Sequence, residues 1–429
     1  MTKHSKEESS STGNSAVHNI PMRQVNSREI VLDMLLEILE EGKFSHTVLN
    51  QTLNKYQHLE KQERAFISRL CIGTVKRYLT LDYRINTVAS LPVKKMKPLI
   101  RNLLRLSAYQ IMYMDQIPVS AVCNEAVKLA KKRGFAKLSG FVNAVLRSII
   151  RTNAGFTLPD KEEDPAYYLE IAYSVPSWLV KEMLEQYPYD QVERMFSASL
   201  EEKKTSIRCN LHKNSPNQLK KQLQEEGVAV EDSGYLDYAF YIRDYDYLDK
   251  LKAFREGRFT VQDVSSQLVC QVADIKGNDF VVDVCASPGG KSLHAAEKAK
   301  RVSARDLTEY KIHFIEENKK RLDLTNVEPL VWDATVFDPS IEQKADVVIA
   351  DLPCSGLGVL GKKADIKYKL TQKQQKELVE LQRKILTTVK DYVKSGGILI
   401  FSTCTVNKEE NVDNRDWFLQ SFDFEAESL

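Results

Sequence analysis

The residues best placed for chemistry are two thiols and a carboxylate. Ala350-Asp351-Leu352-Pro353-Cys354-Ser355-Gly356 follows the apolar run Val347-Val348-Ile349, and Ser402-Thr403-Cys404-Thr405 follows Ile398 to Phe401. Each loop leaves the carboxyl end of a strand-like segment, which is the working edge of an open α/β sheet. Asp351 and Cys354 stand three residues apart on a proline-containing loop, and Cys404 lies fifty positions further on. A free cysteine is ordinarily a small buried hydrophobe. Cys71, Cys123 and Cys270, on helical patterns, fit that use, and Cys209 and Cys285 are read the same way. Two thiols that both leave strand ends are unusual for inert core positions, and a deprotonated thiol is a nucleophile.

A second segment, Asp283-Val284-Cys285-Ala286-Ser287-Pro288-Gly289-Gly290-Lys291-Ser292, joins a buried-strand pattern to a helix. Paired glycines at such a turn let a ligand approach the backbone, so this reads as a cofactor loop rather than a plain connection. Gly290-Lys291-Ser292 imitates the end of a P-loop, but the first glycine required falls at position 285, which is cysteine. Phosphate cradling is disfavoured, and the G-x-G-x-x-G dinucleotide pattern is also read as absent, which leaves NAD or FAD little support. Asp306 closes the short strand Val302 to Ala304, where an acid can accept hydrogen bonds from a ribose diol. Asp333, after Leu330-Val331-Trp332, is placed to face an adenine or an amine. Each acid alone is more often a cap or turn residue; three in register after three successive strands point to an adenosine-containing ligand.

The elements that must position these loops emerge from the whole chain. Its 429 residues, 43% hydrophobic and 28% charged, exclude general disorder and are enough for two or three domains. No apolar run reaches the roughly 18 residues of a membrane span, and the N-terminus lacks a leader pattern, so a cytoplasmic protein is expected. The seven cysteines are odd in number and lack metal-ligand spacing, which argues against a disulfide framework and against a zinc or other metal site.

Residues 1–20 lack periodicity and read as a disordered tail. From Ser27, a plausible N-cap, apolar residues recur at helical spacing (Ile30, Val31, Met34, Leu35, Ile38), and similar stripes predict an all-helical domain over 21–153. Within it, Leu91 to Arg151 carries twelve Lys or Arg against Asp115 and Glu125, about +10 in a chain whose net charge is +2. Such polarisation favours a polyanionic partner over an ordinary solvated face. A turn-rich stretch from Asn153 to Pro165 marks a boundary. A small α+β subdomain is expected over 166–250, and from 258 to 429 short strands alternate with helices, as in a parallel α/β sheet.

The Cys285 to Lys291 loop, Asp351-Leu352-Pro353-Cys354-Ser355-Gly356, and Thr403-Cys404 with Glu410-Asn411 resemble the motifs of S-adenosylmethionine-dependent RNA cytosine carbon-5 methyltransferases of the bacterial Sun/Fmu type. Asn102-Leu103-Leu104-Arg105-Leu106-Ser107-Ala108-Tyr109-Gln110 and Phe141-Val142-Asn143-Ala144-Val145-Leu146-Arg147 resemble the NusB-like RNA-binding fold that this family carries at its N-terminus. The resemblance covers nearly the whole chain after the tail. It implies a NusB-like helical domain, a small α+β subdomain and a Rossmann-like methyltransferase domain, with small-subunit ribosomal RNA as substrate and no membrane partner; a monomer is expected.

Two departures stand out. Ala364, in Lys362-Lys363-Ala364-Asp365-Ile366, replaces the family's usual proline. Family members also continue past the equivalent of Phe422-Asp423-Phe424 into a hairpin, whereas this sequence stops at Leu429. The sheet is therefore expected to lack its last strand, with poor solubility or a low melting temperature as the consequence.

Carbon-5 of cytosine is too weak a nucleophile to attack a sulfonium methyl, so a thiolate must first add to carbon-6. The resemblance implies that Cys404 attacks and that Cys354 serves the release step. Asp351 suits hydrogen bonding at the ring nitrogen as negative charge develops. The cofactor is expected on Cys285, Ala286, Ser287, Pro288, Gly289, Gly290, Lys291, Asp306, Asp333 and Asp351. Phosphate contacts are expected from Lys131, Lys132, Arg133 and Lys137. The rivals are a non-catalytic RNA-binding or antitermination-like protein with an inactive methyltransferase domain, and an ATPase.

Overall fold

The computed structural model describes residues 26–428; the tail expected at 1–20 lies outside them. The chain begins in helices whose apolar stripes meet around the helix Pro98–Tyr113, started by proline at its first position and buried along eleven of its residues. The helix Ser27–Leu39 packs on it through Ile30, Val31, Met34, Leu35 and Ile38. Its N-cap is Asn26 and not Ser27: the Asn26 carboxamide oxygen accepts the backbone N–H groups of Arg28 and Glu29, at 3.0 and 3.1 Å. The helix Lys61–Lys76 crosses the central helix so closely that a Cβ on Gly73 would lie 2.1 Å from the Tyr109 ring. Arg105, buried in this core, is neutralised by a bidentate contact with Asp82 at 2.7 and 2.8 Å and lies over the Tyr78 ring.

Three short helices, Pro165–Tyr173, Ser177–Gln186 and Tyr189–Leu200, lead to a four-stranded antiparallel sheet. Its strands are β1 (Thr205–Cys209), β2 (Ala229–Asp232), β3 (Ala239–Arg243) and β4 (Phe259–Val261), in the order β2-β3-β1-β4. The helix Pro216–Glu225, with a Ser215/Gln218 capping box, covers its core through Leu219 and Leu223.

A five-stranded parallel sheet follows: β5 (Phe280–Asp283), β6 (Arg301–Asp306), β7 (Val327–Val331), β8 (Ala345–Asp351) and β9 (Val393–Ser402), in the order β7-β6-β5-β8-β9. One face packs on helices Val264–Val272, Gly290–Ala296 and Glu309–Leu322, the other on Gln372–Val389 and Val412–Ser421. Cover on both faces explains the nearly unbroken apolar reading of β5 and β8. The order reverses between β5 and β8, so a crevice opens at their carboxyl ends. β9 is an edge strand; among the described residues no strand pairs with its outer side.

The layers are tied together by the segment after the Cys354 loop. Leu357 and Leu360 pack among the helices Pro165–Tyr173, Ser177–Gln186 and Tyr189–Leu200, and Ala364 enters the core of the first helical layer. Beside it the ammonium of buried Lys367 donates to the carbonyls of Lys76 and Tyr173, at 3.2 and 3.1 Å.

Candidate active site

Asp351 and Ser402 are register partners at the ends of β8 and β9, so the loops that follow them leave the sheet side by side. That placement brings the Cys354 and Cys404 sulfurs to 2.9 Å, and the Cys404 N–H donates to the Cys354 sulfur at 3.1 Å. Cys404 is exposed and Cys354 half-buried. A hydrogen bond from the Cys354 thiol draws the Cys404 thiol down to about 7, assisted by the charge of Lys363 and opposed by burial and Asp351. The same sharing, with burial, pushes the Cys354 thiol up. The pair thus divides into an accessible thiolate-former and a neutral partner that stays protonated.

A buried polar frame fixes the two loops. Glu410, fully buried, accepts the Ser355 N–H at 2.9 Å and the Gln382 side-chain amide at 3.0 Å. The same Gln382 amide reaches the Pro353 carbonyl at 2.7 Å, and its oxygen accepts from Asn414 at 2.7 Å. Ser355 and Thr405 hydroxyls meet at 2.6 Å. The Gly358 N–H donates to the Cys404 carbonyl at 3.0 Å, and a Cβ on Gly358 would lie 2.9 Å from that oxygen. Gly356-Leu357-Gly358-Val359-Leu360-Gly361 has the G-x-G-x-x-G spacing, which the sequence reading passed over. It forms a short 3-10 turn against the Cys404 loop rather than a strand-to-helix turn, so it is no dinucleotide fingerprint.

The glycine loop lies across the same sheet edge. Gly289 takes φ +102°, a conformation open to glycine, and a Cβ there would come within 2.9 Å of the Leu293 side chain. Lys291 bridges the glycine loop and the thiol loops: its ammonium lies 2.6 Å from Asp351, whose other oxygen accepts the Ser402 hydroxyl at 2.8 Å. Asp306 ties the loop to β6, accepting the N–H of Ser287 at 2.9 Å and of Leu307 at 2.7 Å, with the Lys311 ammonium at 2.8 Å. The Ala286 N–H donates to the Arg305 carbonyl, and the Pro288 carbonyl accepts from Asn318. Burial pushes the Cys285 thiol up to about 12, which fits a packing role.

These residues suit a cationic, ribose-bearing group. Asp283, at the end of β5, is buried, and burial pushes its carboxyl up to about 7; one oxygen accepts from Ser292, and the other has no protein partner. An unpartnered buried carboxylate oxygen beside a glycine turn fits a donor-rich ligand. Asp333 stands apart in role: it accepts both the N–H and the hydroxyl of Thr335, at 2.8 Å each, and so holds its own turn.

Among the described residues, no cluster of three or more His, Cys, Asp or Glu could hold a metal ion, and no helix is long and apolar enough to cross a membrane. The expected phosphate contacts fall at the end of the helix Val119–Lys132 and beyond it. Lys131, Lys132 and Lys137 are exposed; Lys132 also pairs with Glu29 at 2.5 Å, and the half-buried Arg133 pairs with Asp33 at 2.6 Å. Sequence reasoning missed Ser402, Gln382, Gly358 and Lys363. The position of Ser402, one strand-end residue in register with Asp351, was the available signal for the first; the others act through partners distant in sequence.

Comparison with known proteins gives three profile matches in chain order. The NusB family matches residues 25–151, a RsmF/B-like ferredoxin-like domain 175–245, and the 16S rRNA methyltransferase RsmB/F family 270–428. The probable ribosomal RNA small subunit methyltransferase B of Bacillus subtilis (strain 168) is 35% identical over 95% of this chain and 91% of its own length. Its namesake from Synechocystis is 30% identical over 92% and 89%. The crystal structure of PH0851 superposes over 93% of this chain and 90% of that one, with a TM-score of 0.76 at 26% identity.

Proposed function

Because the chain belongs to the 16S rRNA methyltransferase RsmB/F family, we propose that it methylates carbon-5 of a cytosine in small-subunit ribosomal RNA through a transient bond between Cys404 and the base. Its three layers are the NusB-like helical domain, the ferredoxin-like subdomain and the Rossmann-like methyltransferase domain of that family. The observation that carries the reading is the 2.9 Å pair of thiols beside the Lys291–Asp351 contact at the open end of the parallel sheet.

The Cys285 to Lys291 loop, with Asp283 and Asp306, would hold S-adenosylmethionine, which when bound would supply an electrophilic methyl group. The chain's own groups do the rest. The Cys404 thiolate adds to carbon-6, forming a carbon–sulfur bond and making carbon-5 enamine-like. Asp351 shares a proton with the ring nitrogen as negative charge develops there and takes it back when Cys404 leaves, and the Lys291 ammonium, 2.6 Å from Asp351, offsets the charge on the carboxylate. Once carbon-5 carries the methyl group, a base removes its proton and the electron pair expels Cys404 as thiolate. The Cys354 thiol, already hydrogen-bonded to Cys404, serves that release by stabilising the departing thiolate. The target base reaches the thiol only outside a stacked helix, in a loop or after flipping.

The test is transfer of labelled methyl to unmodified small-subunit ribosomal RNA, with digestion to nucleosides. The label should appear as 5-methylcytidine; label in any other nucleoside, or none, rejects the reading.

A further inference from the structure

A second cleft opens on the far side of the turn that supports Cys404. It is an open groove between the antiparallel sheet and the parallel-sheet domain, with a volume of about 630 Å3, within the range of about 300–1,000 Å3 typical of small-ligand sites. Gly358 and Val359 form part of its wall, and the Gly358 N–H holds the Cys404 carbonyl at 3.0 Å. The backbone of the Cys404 loop is therefore one hydrogen bond from this wall.

Two tyrosines face it from the β2–β3 hairpin. Tyr235 is 74% exposed, on a turn held by the Ser233 hydroxyl and by Gly234 at φ +75°. Tyr241, on β3, is half-buried, and the Lys204 ammonium lies 5.9 Å from its ring centre. A large aromatic side chain left so exposed at a cleft mouth is a stacking surface.

The charges around the cleft decide what it takes. Lys203, Lys204 and Lys362 are balanced by Glu201, Glu202 and Asp263 in the same wall. Lys362 is paired with Asp263, and Lys204 with Glu231 outside the wall. A neutral lining with aromatic faces suits uncharged bases rather than a run of phosphates.

We propose that this cleft binds the unstacked bases next to the target cytosine, with Tyr235 and Tyr241 as stacking platforms. The proposal rests on the methyltransferase reading and adds to it a site for the flanking nucleotides. One stacked base contributes about 1–3 kcal/mol, or roughly 5- to 150-fold in affinity.

The experiment measures binding of the full-length protein to a fluorescein-labelled single-stranded nonamer RNA with one central cytosine, at several salt concentrations. Tyr235→Ala should weaken binding at least five-fold, Tyr235→Trp should restore it, and the slope of log Kd against log salt should match the wild type. Tyr235 is largely in solvent, so its replacement leaves the fold intact; Tyr241→Phe, which keeps the ring, should bind like the wild type. Tyr235→Ala binding within two-fold of wild type, or a loss that Trp does not restore and that changes the salt slope, overturns the proposal. Methyl transfer by the wild type is measured in parallel on ribosomal RNA. Transfer that proceeds while Tyr235→Ala binds normally rejects the cleft alone, and absent transfer with a binding loss rejects the methyltransferase reading alone.

Discussion

Asp365 accepts the backbone N–H of Ser45 at 3.0 Å, joining a residue eleven positions beyond Cys354 to the start of the helix Ser45–Lys55 in the NusB-like domain. The Ser45 hydroxyl donates to the same carboxylate, and the Lys369 ammonium lies 2.6 Å from it. These partners, with Ser45 N–H and Lys369, hold the Asp365 carboxyl below its usual range although burial opposes them. Asp365→Ala leaves the Ser45 groups buried without a partner, at a cost of about 1–3 kcal/mol. A melt followed by circular dichroism should show the transition lowered by on the order of 5 °C; an unchanged melt would mean the contact is replaceable by water.

The thiol pair makes the reaction sensitive to pH in a defined direction. On the proposed mechanism Cys404 must be deprotonated to attack, and its thiol is held near 7. Alkylation of Cys404 by iodoacetamide should therefore rise about ten-fold per pH unit below 7 and level off above it. Lys363→Gln removes a charge that favours the thiolate, so its midpoint should move upward. A midpoint that stays fixed in this variant would remove Lys363 from the site.

Gly358→Ala tests the close approach under the nucleophile. The added Cβ would meet the Cys404 carbonyl at 2.9 Å, so the loop must shift. A displacement near 1 Å at a reacting group costs on the order of 100-fold in rate. Single-turnover methyl transfer should fall by about that factor with an unchanged far-ultraviolet spectrum; full activity would show that the turn yields without moving the sulfur.

Lys131, Lys132 and Arg133 read alike in sequence but differ in the fold. All of them but the half-buried Arg133 are exposed, but Lys132 and Arg133 are ion-paired with Glu29 and Asp33 on the helix Ser27–Leu39, and Lys131 carries no such partner among the described residues. Neutralising all three to Gln should flatten the salt dependence of RNA binding by about one phosphate contact, near 0.7–0.9 in slope, rather than three. A loss of three would mean the ion pairs open onto RNA. An unchanged slope would leave this part of the helical domain without the task.

What was legible in the sequence follows from which residues act alone. The strand-end apolar runs and the cysteine loops were readable because β5, β8 and the inner half of β9 lie in a covered parallel sheet. Ser27 reads as an N-cap because its side chain suits that position, and only the geometry shows that the neighbouring Asn26 holds it. Three-residue β4 carries too short a pattern to read, and it closes the antiparallel sheet against β1 just after 258, where the strand-and-helix alternation was expected to begin. The frame around Glu410 and Gln382 was hidden because its partners are 28 and 55 positions apart. Lys132 and Arg133 were read from local charge, which cannot show that Glu29 and Asp33, about a hundred residues earlier, face them.

The account turns on which sulfur bonds the base. Cys354→Ala removes the release partner, and Cys404→Ser removes the attacking thiol. Each variant is incubated with unmodified small-subunit ribosomal RNA and S-adenosylmethionine, digested with nuclease and then protease, and examined by peptide mass spectrometry. Cys354→Ala should carry the mass of a methylated cytidine nucleotide on the peptide containing position 404, and Cys404→Ser should carry none. An adduct on Cys404→Ser with none on Cys354→Ala would contradict the account.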